Sequence, residues 1–135
     1  MGVSVKIPKD VYDEMIKHAK DVYPQEACGF AAGKDGEMKY FYPVDNMDHS
    51  SVTYNMDPKQ QMKAFKKFDD DGVELIGIFH SHVASKAEPS QTDRAMAFYP
   101  EVSYLIASLA DMDNPDLKSY RINGDDVRQE EINIL

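Results

Sequence analysis

Cysteine and tryptophan are scarce in this chain, with one cysteine and no tryptophan among 135 residues. A single cysteine excludes an internal disulfide, and without further cysteines no structural zinc site can be built on thiolate pairs. Cys28 lies in an apolar segment. We expect it to pack as a small hydrophobic residue, as free cysteines usually do, and a redox role is the alternative interpretation.

Basic residues are also in deficit, because 15 Lys and Arg face 24 Asp and Glu and leave a net charge of −9. Nucleic-acid binding depends on basic patches, so this balance argues against a nucleic-acid partner. An acidic surface is compatible with recognition of a basic patch on a protein partner, although it is more often a feature that keeps a protein in solution.

Long apolar runs are missing as well, and no stretch of the sequence resembles a membrane span or a signal peptide. We therefore expect a cytoplasmic protein with no membrane attachment. Hydrophobic residues make up 42% of the chain and charged residues 29%, which is typical of a globular protein. The length suits a single domain over residues 1–135, and the oligomeric state stays open.

Helix and strand patterns alternate along the chain. Apolar residues at helical spacing predict a first helix between Pro8 and Pro24, and Asp57 followed by Pro58 predicts the start of a second. The apolar face predicted for the second helix consists of Met62, Phe65 and Phe68. A third helix is expected after position 90, ending near Pro100. The segments predicted as strands are 27–33, 38–44, 52–56, 73–79, 102–109, 117–122 and 127–135. This order predicts α/β packing of helices on a mixed sheet.

The clearest chemical signal is a pair of histidines, His80 and His82, followed by Asp93. The apolar, β-branched run 73–79 before the pair predicts a buried strand. Because side chains alternate along a strand, both histidines should project from the same face at its carboxyl end. Asp93 can complete a three-ligand face from the next element. Zinc accepts imidazole nitrogens and carboxylate oxygens, and a catalytic zinc keeps its fourth position for water.

Each part of this pattern also has a simpler interpretation. A histidine pair on a strand can be two exposed polar side chains, and Ser90 with Asp93 three residues later is a common helix start. One residue can both cap a helix and bind a metal, so the combined spacing still favours a metal site. His49, in a polar loop, is a possible extra ligand, although a solvated side chain is the more usual role there.

With an upstream glutamate, the pattern resembles the JAMM signature of MPN-domain (Mov34) metalloproteases. The family segment around its glutamate is similar to residues 23–30, which contain Glu26. Three further stretches resemble the small prokaryotic branch of the family: 79–82, 89–93 and 98–100. The resemblance runs from about Ile7 to position 109. Val83 stands where many relatives have a proline, which affects the shape of a loop and leaves the ligands unchanged.

The resemblance implies a cytidine-deaminase-like fold, in which a mixed β-sheet is flanked by helices. It implies that His80, His82 and Asp93 hold Zn²⁺. Glu26 would be the general acid/base beside the zinc-bound water, and Ser90 would donate a hydrogen bond to the oxyanion. Each role agrees with the chemistry of its side chain, since zinc acidifies water, a carboxylate moves protons and a hydroxyl stabilises developing charge. Spacing alone does not bring Glu26 near the metal, and the same ligands would also bind iron or cobalt.

The function implied by the resemblance is cleavage at the tail of a ubiquitin-like protein. One form removes residues that follow the C-terminal Gly-Gly of a sulfur-carrier protein, and another cleaves isopeptide bonds between such proteins and lysines. The short chain favours the first form, and the second remains an alternative. A non-catalytic MPN scaffold would lack the ligands, and the RadC-like DNA-associated branch has a different tripeptide at its histidines. Deaminase chemistry is excluded because the sequence lacks the His-x-Glu and Pro-Cys-x-x-Cys pattern.

Overall fold

The computed structural model describes residues 4–135, so residues 1–3 of the predicted domain lie outside the described residues. Within that range the chain forms strands and helices in mixed order. In chain order they are β1 (Ser4–Ile7), α1 (Lys9–Asp21), β2 (Cys28–Lys34), β3 (Glu37–Val44), α2 (Pro58–Asp71), β4 (Glu74–His82), α3 (Gln91–Ala95), β5 (Ser103–Ser108), β6 (Asp116–Asn123) and β7 (Asp126–Ile134). Among residues 4–135, no helix combines the length and the apolarity that crossing a bilayer requires.

The strands form one mixed sheet in the order β1-β3-β2-β4-β5-β6-β7. β4 and β5 are parallel, whereas β2 pairs with β3 and β4, and β6 with β5 and β7, in antiparallel fashion. β1 runs parallel to β7 and also meets β3 at Lys6 and Glu37, which closes the sheet into a barrel. The predicted mixed sheet with helices is confirmed. The closure was not predicted, because a four-residue strand gives too little alternation to be recognised in a sequence.

One face of the sheet is covered by α1. Val11, Met15 and Ala19 of this helix are fully buried, and they pack in one apolar cluster with Phe79 of β4 and Leu105 of β5. Four-residue spacing along a helix places these three side chains above one another on a single stripe. The helix predicted between Pro8 and Pro24 is therefore present, and its apolar side chains form part of the core.

The other face belongs to a second apolar cluster, in which Ala64 and Phe68 of α2 pack with Phe30, Ile78 and Ile106. Residues 78 and 79 of β4 are neighbours on a strand, so they must point to opposite faces. The two clusters consequently lie on opposite sides of the central strands. His80 and His82 have the same parity as Ile78, which places them on the α2 side.

The start of α2 is as predicted. The Asp57 side chain accepts a hydrogen bond from the Lys59 amide at 2.9 Å, and Pro58 occupies the first turn. The helix ends at Gly72, which adopts φ of 67°, a left-handed conformation that costs glycine less than any other residue. The cap was predicted from residue type alone.

The apolar face predicted for α2 is partly wrong. Phe68 is buried, but Met62 is 74% exposed and Phe65 is 39% exposed. The innermost residues are Ala64 and Phe68, four positions apart on one stripe. At 3.6 residues per turn, Met62 lies well away from that stripe, so a real helix cannot bury it together with Phe68.

The strand predicted over 52–56 is wrong. Met56 makes a single antiparallel bridge with Asn46, and no strand forms there. Side chains instead satisfy the backbone of this segment; for example, the Val52 amide donates to Ser50 Oγ at 3.1 Å. Such local acceptors compete with the ladder of a sheet.

The third helix is also shorter than predicted, since it ends at Ala95 with Met96 as its cap and does not reach Pro100. Proline lacks an amide hydrogen and disfavours the helical conformation of the residue before it. The Tyr99 amide donates instead to the hydroxyl of Tyr104 at 2.9 Å. The segment after α3 is thereby held against β5 in a non-helical form.

Candidate metal centre

The three side chains predicted as metal ligands meet at the carboxyl end of β4. The Nε2 atoms of His80 and His82 lie 3.2 Å apart. Asp93 Oδ2 lies 3.1 Å from His80 Nε2 and 2.9 Å from His82 Nε2. No more than 8% of any of these side chains is exposed. Three potential donor atoms therefore converge on one enclosed point.

The spacing of these atoms fits a tetrahedral metal ion. Ligand atoms about 2.0–2.1 Å from zinc at tetrahedral angles are separated by about 3.3 Å. The observed separations of 2.9–3.2 Å fall short of that value by only a few tenths of an ångström. Two imidazoles and one carboxylate also leave a fourth position free, as in catalytic zinc sites.

Neighbouring groups fix the orientation of the two histidines. His82 Nδ1 lies 2.8 Å from the carbonyl oxygen of Lys86, which can only accept, so Nδ1 carries a hydrogen and the neutral ring keeps its Nε2 lone pair for a metal ion. The ring of Tyr54 stacks on that of His80, with centroids 4.7 Å apart and planes 23° from parallel. His80 Nδ1 is buried and has no hydrogen-bond partner within residues 4–135.

Electrostatics favours the metal-binding forms of two of the three side chains. Burial lowers the pKa of His80 and keeps the ring neutral. Burial alone would raise the pKa of Asp93, but its hydrogen bonds to His80 and His82 hold that pKa well below the ordinary value. For His82 burial opposes the charge, yet hydrogen bonds to Asp93 and to the Lys86 carbonyl raise its pKa. Metal ligation requires neutral imidazole and ionised carboxylate.

Asp93 is positioned by the start of α3. Ser90 Oγ accepts a hydrogen bond from the Asp93 amide at 3.0 Å, and Asp93 Oδ2 accepts one from the Ser90 amide at 2.9 Å. The predicted capping box is therefore present, and its carboxylate oxygen is the atom that faces the histidines. Capping occupies a lone pair of the exposed Ser90 hydroxyl and leaves its hydrogen free to donate to another group.

Glu26 is 3% exposed, and its carboxyl group feels the charges of His82 and Asp93. Its Oε1 atom is buried and has no hydrogen-bond partner in the described part of the chain. Burial raises the pKa of Glu26 to about 7, the charge on His82 lowers that pKa, and the charge on Asp93 raises it. A buried carboxyl group that titrates near neutrality is suited to accept and return a proton.

Hydrogen bonds to three other residues hold the backbone of Glu26 and of the residue after it in position. Its amide donates to the Ser50 carbonyl at 2.8 Å, and its own carbonyl accepts from Asn46 Nδ2 at 3.1 Å. The next residue, Ala27, donates its amide to Ser81 Oγ at 2.8 Å and accepts from the Ser81 amide at 3.0 Å. Because Ser81 stands between the two histidines, these bonds attach the glutamate segment directly to the ligand strand.

Sequence reasoning missed the supporting roles of Ser81, Asn46 and Tyr54. The available signal for Ser81 was its place between the two histidines at the end of a predicted buried strand, since a buried hydroxyl requires a partner. Nothing in the sequence distinguishes Asn46 from its polar neighbours or Tyr54 from an ordinary strand residue. His49, considered as an extra ligand, is exposed and is not part of the cluster.

Cys28 is fully buried, and its thiol donates to the Val44 carbonyl at 3.4 Å. Burial raises the pKa of this thiol to about 12, so the reactive thiolate is rare at neutral pH. These properties agree with the packing role expected for Cys28 and not with a redox role.

A family model and two similar proteins relate this chain to the same family. A family model described as prokaryotic homologs of the JAB domain matches residues 8–123. The CysO-cysteine peptidase of Mycobacterium tuberculosis (strain ATCC 25618 / H37Rv) is 34% identical over 131 residues, covering 96% of this chain and 90% of that protein. The desampylase of Haloferax volcanii is 30% identical over 135 residues, covering 93% and 92% of the two chains.

Solved structures of other proteins have the same fold as this chain. A solution structure of a protein from Desulfitobacterium hafniense is 40% identical and superposes with a TM-score of 0.89 over 97% of this chain and 92% of that one. A JAB1/MPN domain protein from Archaeoglobus fulgidus, 18% identical, shares the fold with a TM-score of 0.64 over 96% and 99% of the chains. The chain therefore belongs to the prokaryotic JAB family, the JAMM/MPN group that its motif resembles, and is a hydrolase of that family.

Proposed function

We propose that this protein is a zinc metallopeptidase that hydrolyses the peptide bond after a C-terminal Gly-Gly of a ubiquitin-like or sulfur-carrier protein. The observation that carries the proposal is the convergence of His80, His82 and Asp93 beside the buried carboxyl of Glu26. Relatives named CysO-cysteine peptidase, desampylase and probable TtuB-protein conjugate cleaving protease support a substrate in which such a protein is joined to a further group.

In this proposal His80, His82 and Asp93 hold the zinc ion. A bound zinc ion supplies a Lewis acid and an acidified water at neutral pH. Glu26 accepts a proton from the attacking water and returns it to the nitrogen of the leaving amine. Its burial supports that role, because a carboxylate that has lost its hydration holds a proton more readily.

Ser90 is proposed to donate its hydroxyl hydrogen to the oxygen of the scissile carbonyl as negative charge develops there. Its exposed hydroxyl adjoins the Asp93 carboxylate through the capping box. A fixed donor of this kind contributes about 3–4 kcal/mol to the stability of a transition state. The same side chain would then hold α3 in place and take part in catalysis.

The substrate is proposed to enter as an extended tail. The loop 83–88 lies next to the site and is fixed by two short hydrogen bonds: Ser108 Oγ donates to the Ser85 carbonyl, and Tyr120 Oη to the Ala87 carbonyl, both at 2.6 Å. A rigid rim favours an extended peptide that can follow it. Glycines at the scissile bond suit a close approach, since they carry no Cβ.

Isopeptide cleavage is the second candidate. Two relatives carry names that support it, the desampylase and the probable conjugate cleaving protease. Both reactions break an amide bond after a carboxyl-terminal glycine, so the same ligands and the same proton transfer serve each. The two differ only in whether the leaving amine is an α-amino group or a lysine Nζ.

Mass spectrometry of two matched substrates tests the proposal. One is a ubiquitin-like protein with a few residues added after Gly-Gly, and the other is the same protein linked to a lysine side chain. We expect cleavage after the second glycine in the first substrate, and no cleavage once the glycines are replaced by bulkier residues. Cleavage of the second substrate alone would favour the isopeptidase. Equal cleavage of tails without Gly-Gly would instead indicate a general peptidase and contradict the proposal.

A further inference from the structure

The two candidate histidine ligands are oriented by different kinds of contact. His82 Nδ1 lies 2.8 Å from the carbonyl oxygen of Lys86. His80 Nδ1 is buried, and no group within residues 4–135 forms a hydrogen bond with it. Histidine ligands usually donate their second ring N–H to a carbonyl or a carboxylate, which fixes the tautomer and the orientation of the ring. Of the two histidines, only His82 has such a support among the described residues.

A stacked aromatic ring supports His80 instead. The centroids of the Tyr54 and His80 rings lie 4.7 Å apart, and the two planes are 23° from parallel. The ring of His82 meets that of His80 at 61°, with centroids 5.0 Å apart, and so does not cover its face. The torsion about the Cβ–Cγ bond of a histidine is otherwise broad. Rotation about that bond would drive the edge of the His80 ring into Tyr54, because a packed ring leaves no free space on that face.

Tyr54 is held in place by the side chain of Asn46. Asn46 Nδ2 donates to the Thr53 carbonyl at 2.9 Å, and Asn46 Oδ1 accepts from the Asn55 amide at 3.0 Å. These two bonds fix the backbone on both sides of Tyr54. Asn46 Nδ2 also donates to the Glu26 carbonyl at 3.1 Å. One buried amide therefore connects the segment of Tyr54 with the segment of the proposed general acid/base.

We propose that Tyr54 is a positioning residue of the metal centre, whose ring keeps the imidazole of His80 turned with Nε2 towards the other ligands. In that orientation His80 Nε2 lies 3.2 Å from His82 Nε2 and 3.1 Å from Asp93 Oδ2. This inference rests on the zinc site proposed above. It assigns the role to the ring of Tyr54 and not to its hydroxyl, because the ring faces are what stack.

The positioning role has a consequence for metal affinity. A ligand that already points at the metal loses little freedom when the ion binds, whereas a ligand that rotates must be ordered first. Without the Tyr54 ring, His80 would rotate more freely, and binding of zinc would become weaker. The fold should be affected much less, because Tyr54 is only partly buried at the edge of its apolar cluster.

The test measures the zinc dissociation constant of the full-length protein by competition with a chelator of known affinity. We expect Tyr54→Leu to weaken zinc binding by about tenfold or more, and Tyr54→Phe to stay within about twofold of wild type. The matched control is Tyr42→Leu. Tyr42 is a partly buried tyrosine of the same apolar cluster that packs on Phe68 with ring centroids 6.2 Å apart. Its replacement should leave the zinc affinity unchanged.

The visible absorption of the cobalt-loaded protein provides a second readout, because it reports the geometry of the ligands around the ion. The spectrum should change in Tyr54→Leu and remain that of wild type in Tyr54→Phe and in Tyr42→Leu. Where Tyr54→Leu fails to fold, Tyr54→Met carries the same expectation, because the flexible methionine side chain fills an irregular gap without supplying a ring.

The outcomes separate this inference from the proposed function. Wild-type zinc affinity in Tyr54→Leu, or an unchanged cobalt spectrum, would overturn the positioning role and leave the proposed peptidase chemistry standing. An equal loss of affinity in Tyr54→Phe would assign the role to the hydroxyl and also overturn the inference. An equal loss in Tyr42→Leu would overturn it as well, because the effect would then come from a loosened core. Wild-type protein that binds no zinc would contradict the proposed function and this inference together.

Discussion

The two helices that cover opposite faces of the sheet are similar in length but differ in what they leave exposed. α1 buries Val11, Met15 and Ala19, and two of its three lysines are paired with aspartates one turn away. α2 buries only Ala64 and Phe68 and leaves two large apolar side chains partly in water. One face is therefore a closed core, whereas the other combines a core with exposed apolar side chains.

The candidate metal centre lies on the α2 side of this division. His80 and His82 follow Ile78 on the face that α2 covers, and Tyr54, whose ring stacks on His80, lines an apolar groove together with Ile78. On the α1 side, the same strand contributes Phe79 to an apolar core. Because neighbouring residues of β4 point to opposite faces, the candidate metal ligands lie on the α2 side and Phe79 packs on the α1 side. Substitutions on the two sides should therefore affect different properties of the protein.

The largest loss of activity is expected from replacing a proposed metal ligand, which lies on the α2 side of the sheet. His80→Ala should abolish measurable cleavage of a tailed substrate, because two remaining ligands cannot hold a catalytic zinc. His49→Ala is the matched control, since His49 is an exposed loop histidine outside the cluster. The measurement is the turnover rate at saturating substrate. A fully active His80→Ala variant would remove this histidine from the site.

The second-largest loss of activity is expected at Glu26, the proposed general acid/base. Glu26→Gln should keep the metal but lower kcat by about 10²–10⁴-fold, because an amide cannot accept a proton at neutral pH. Metal content and kcat are measured on the same sample. A variant with normal kcat would exclude Glu26 from the mechanism, and one without metal would make Glu26 a ligand or a structural residue.

A smaller loss is expected at the helix cap. Ser90→Ala should lower kcat by about 10²–10³-fold with little change in KM, because the hydroxyl acts only when the oxyanion forms. Loss of the cap alone costs about 1 kcal/mol and could loosen Asp93. Ser90→Thr separates the two effects, since threonine retains both the cap and a donor and should recover most of the rate. Wild-type kcat in Ser90→Ala would end the oxyanion role.

The free energy of unfolding should respond differently to substitutions in the two helices. Met15→Ala on α1 removes a fully buried side chain and should lower the free energy of unfolding by about 2–5 kcal/mol. Met62→Ala on α2 changes an exposed side chain and should alter it by no more than about 0.5 kcal/mol. Chemical denaturation of both variants provides the comparison. A large loss in Met62→Ala would mean that Met62 belongs to the core.

Much of the architecture could be predicted because its signals are local. Residue type alone indicated the Asp57 cap and the capping box of α3. Alternation along β4 also indicated that His80 and His82 share a face. These features depend on residues a few positions apart, whose geometry the backbone fixes.

The features that sequence reasoning missed depend on contacts between distant segments. The segment that contains Glu26 is joined to the ligand strand because Ala27 and Ser81 exchange hydrogen bonds across the chain. Closure of the sheet needs β1 to pair with β7, at the other end of the described sequence. The wrong strand at 52–56 arose because Ser50 and Asn46 supply acceptors that no pattern of hydrophobicity reveals. The cytoplasmic location and the single-domain extent remain predictions.

Metal analysis of freshly purified wild-type protein tests the central claim most directly. If His80, His82 and Asp93 form a zinc site, elemental analysis should find about one zinc per chain. A chelator should remove both the zinc and the activity, and added zinc should restore them. The Asp93→Ala variant, prepared in parallel, should retain little metal. Protein that contains no zinc as purified and binds none when zinc is added would contradict the account.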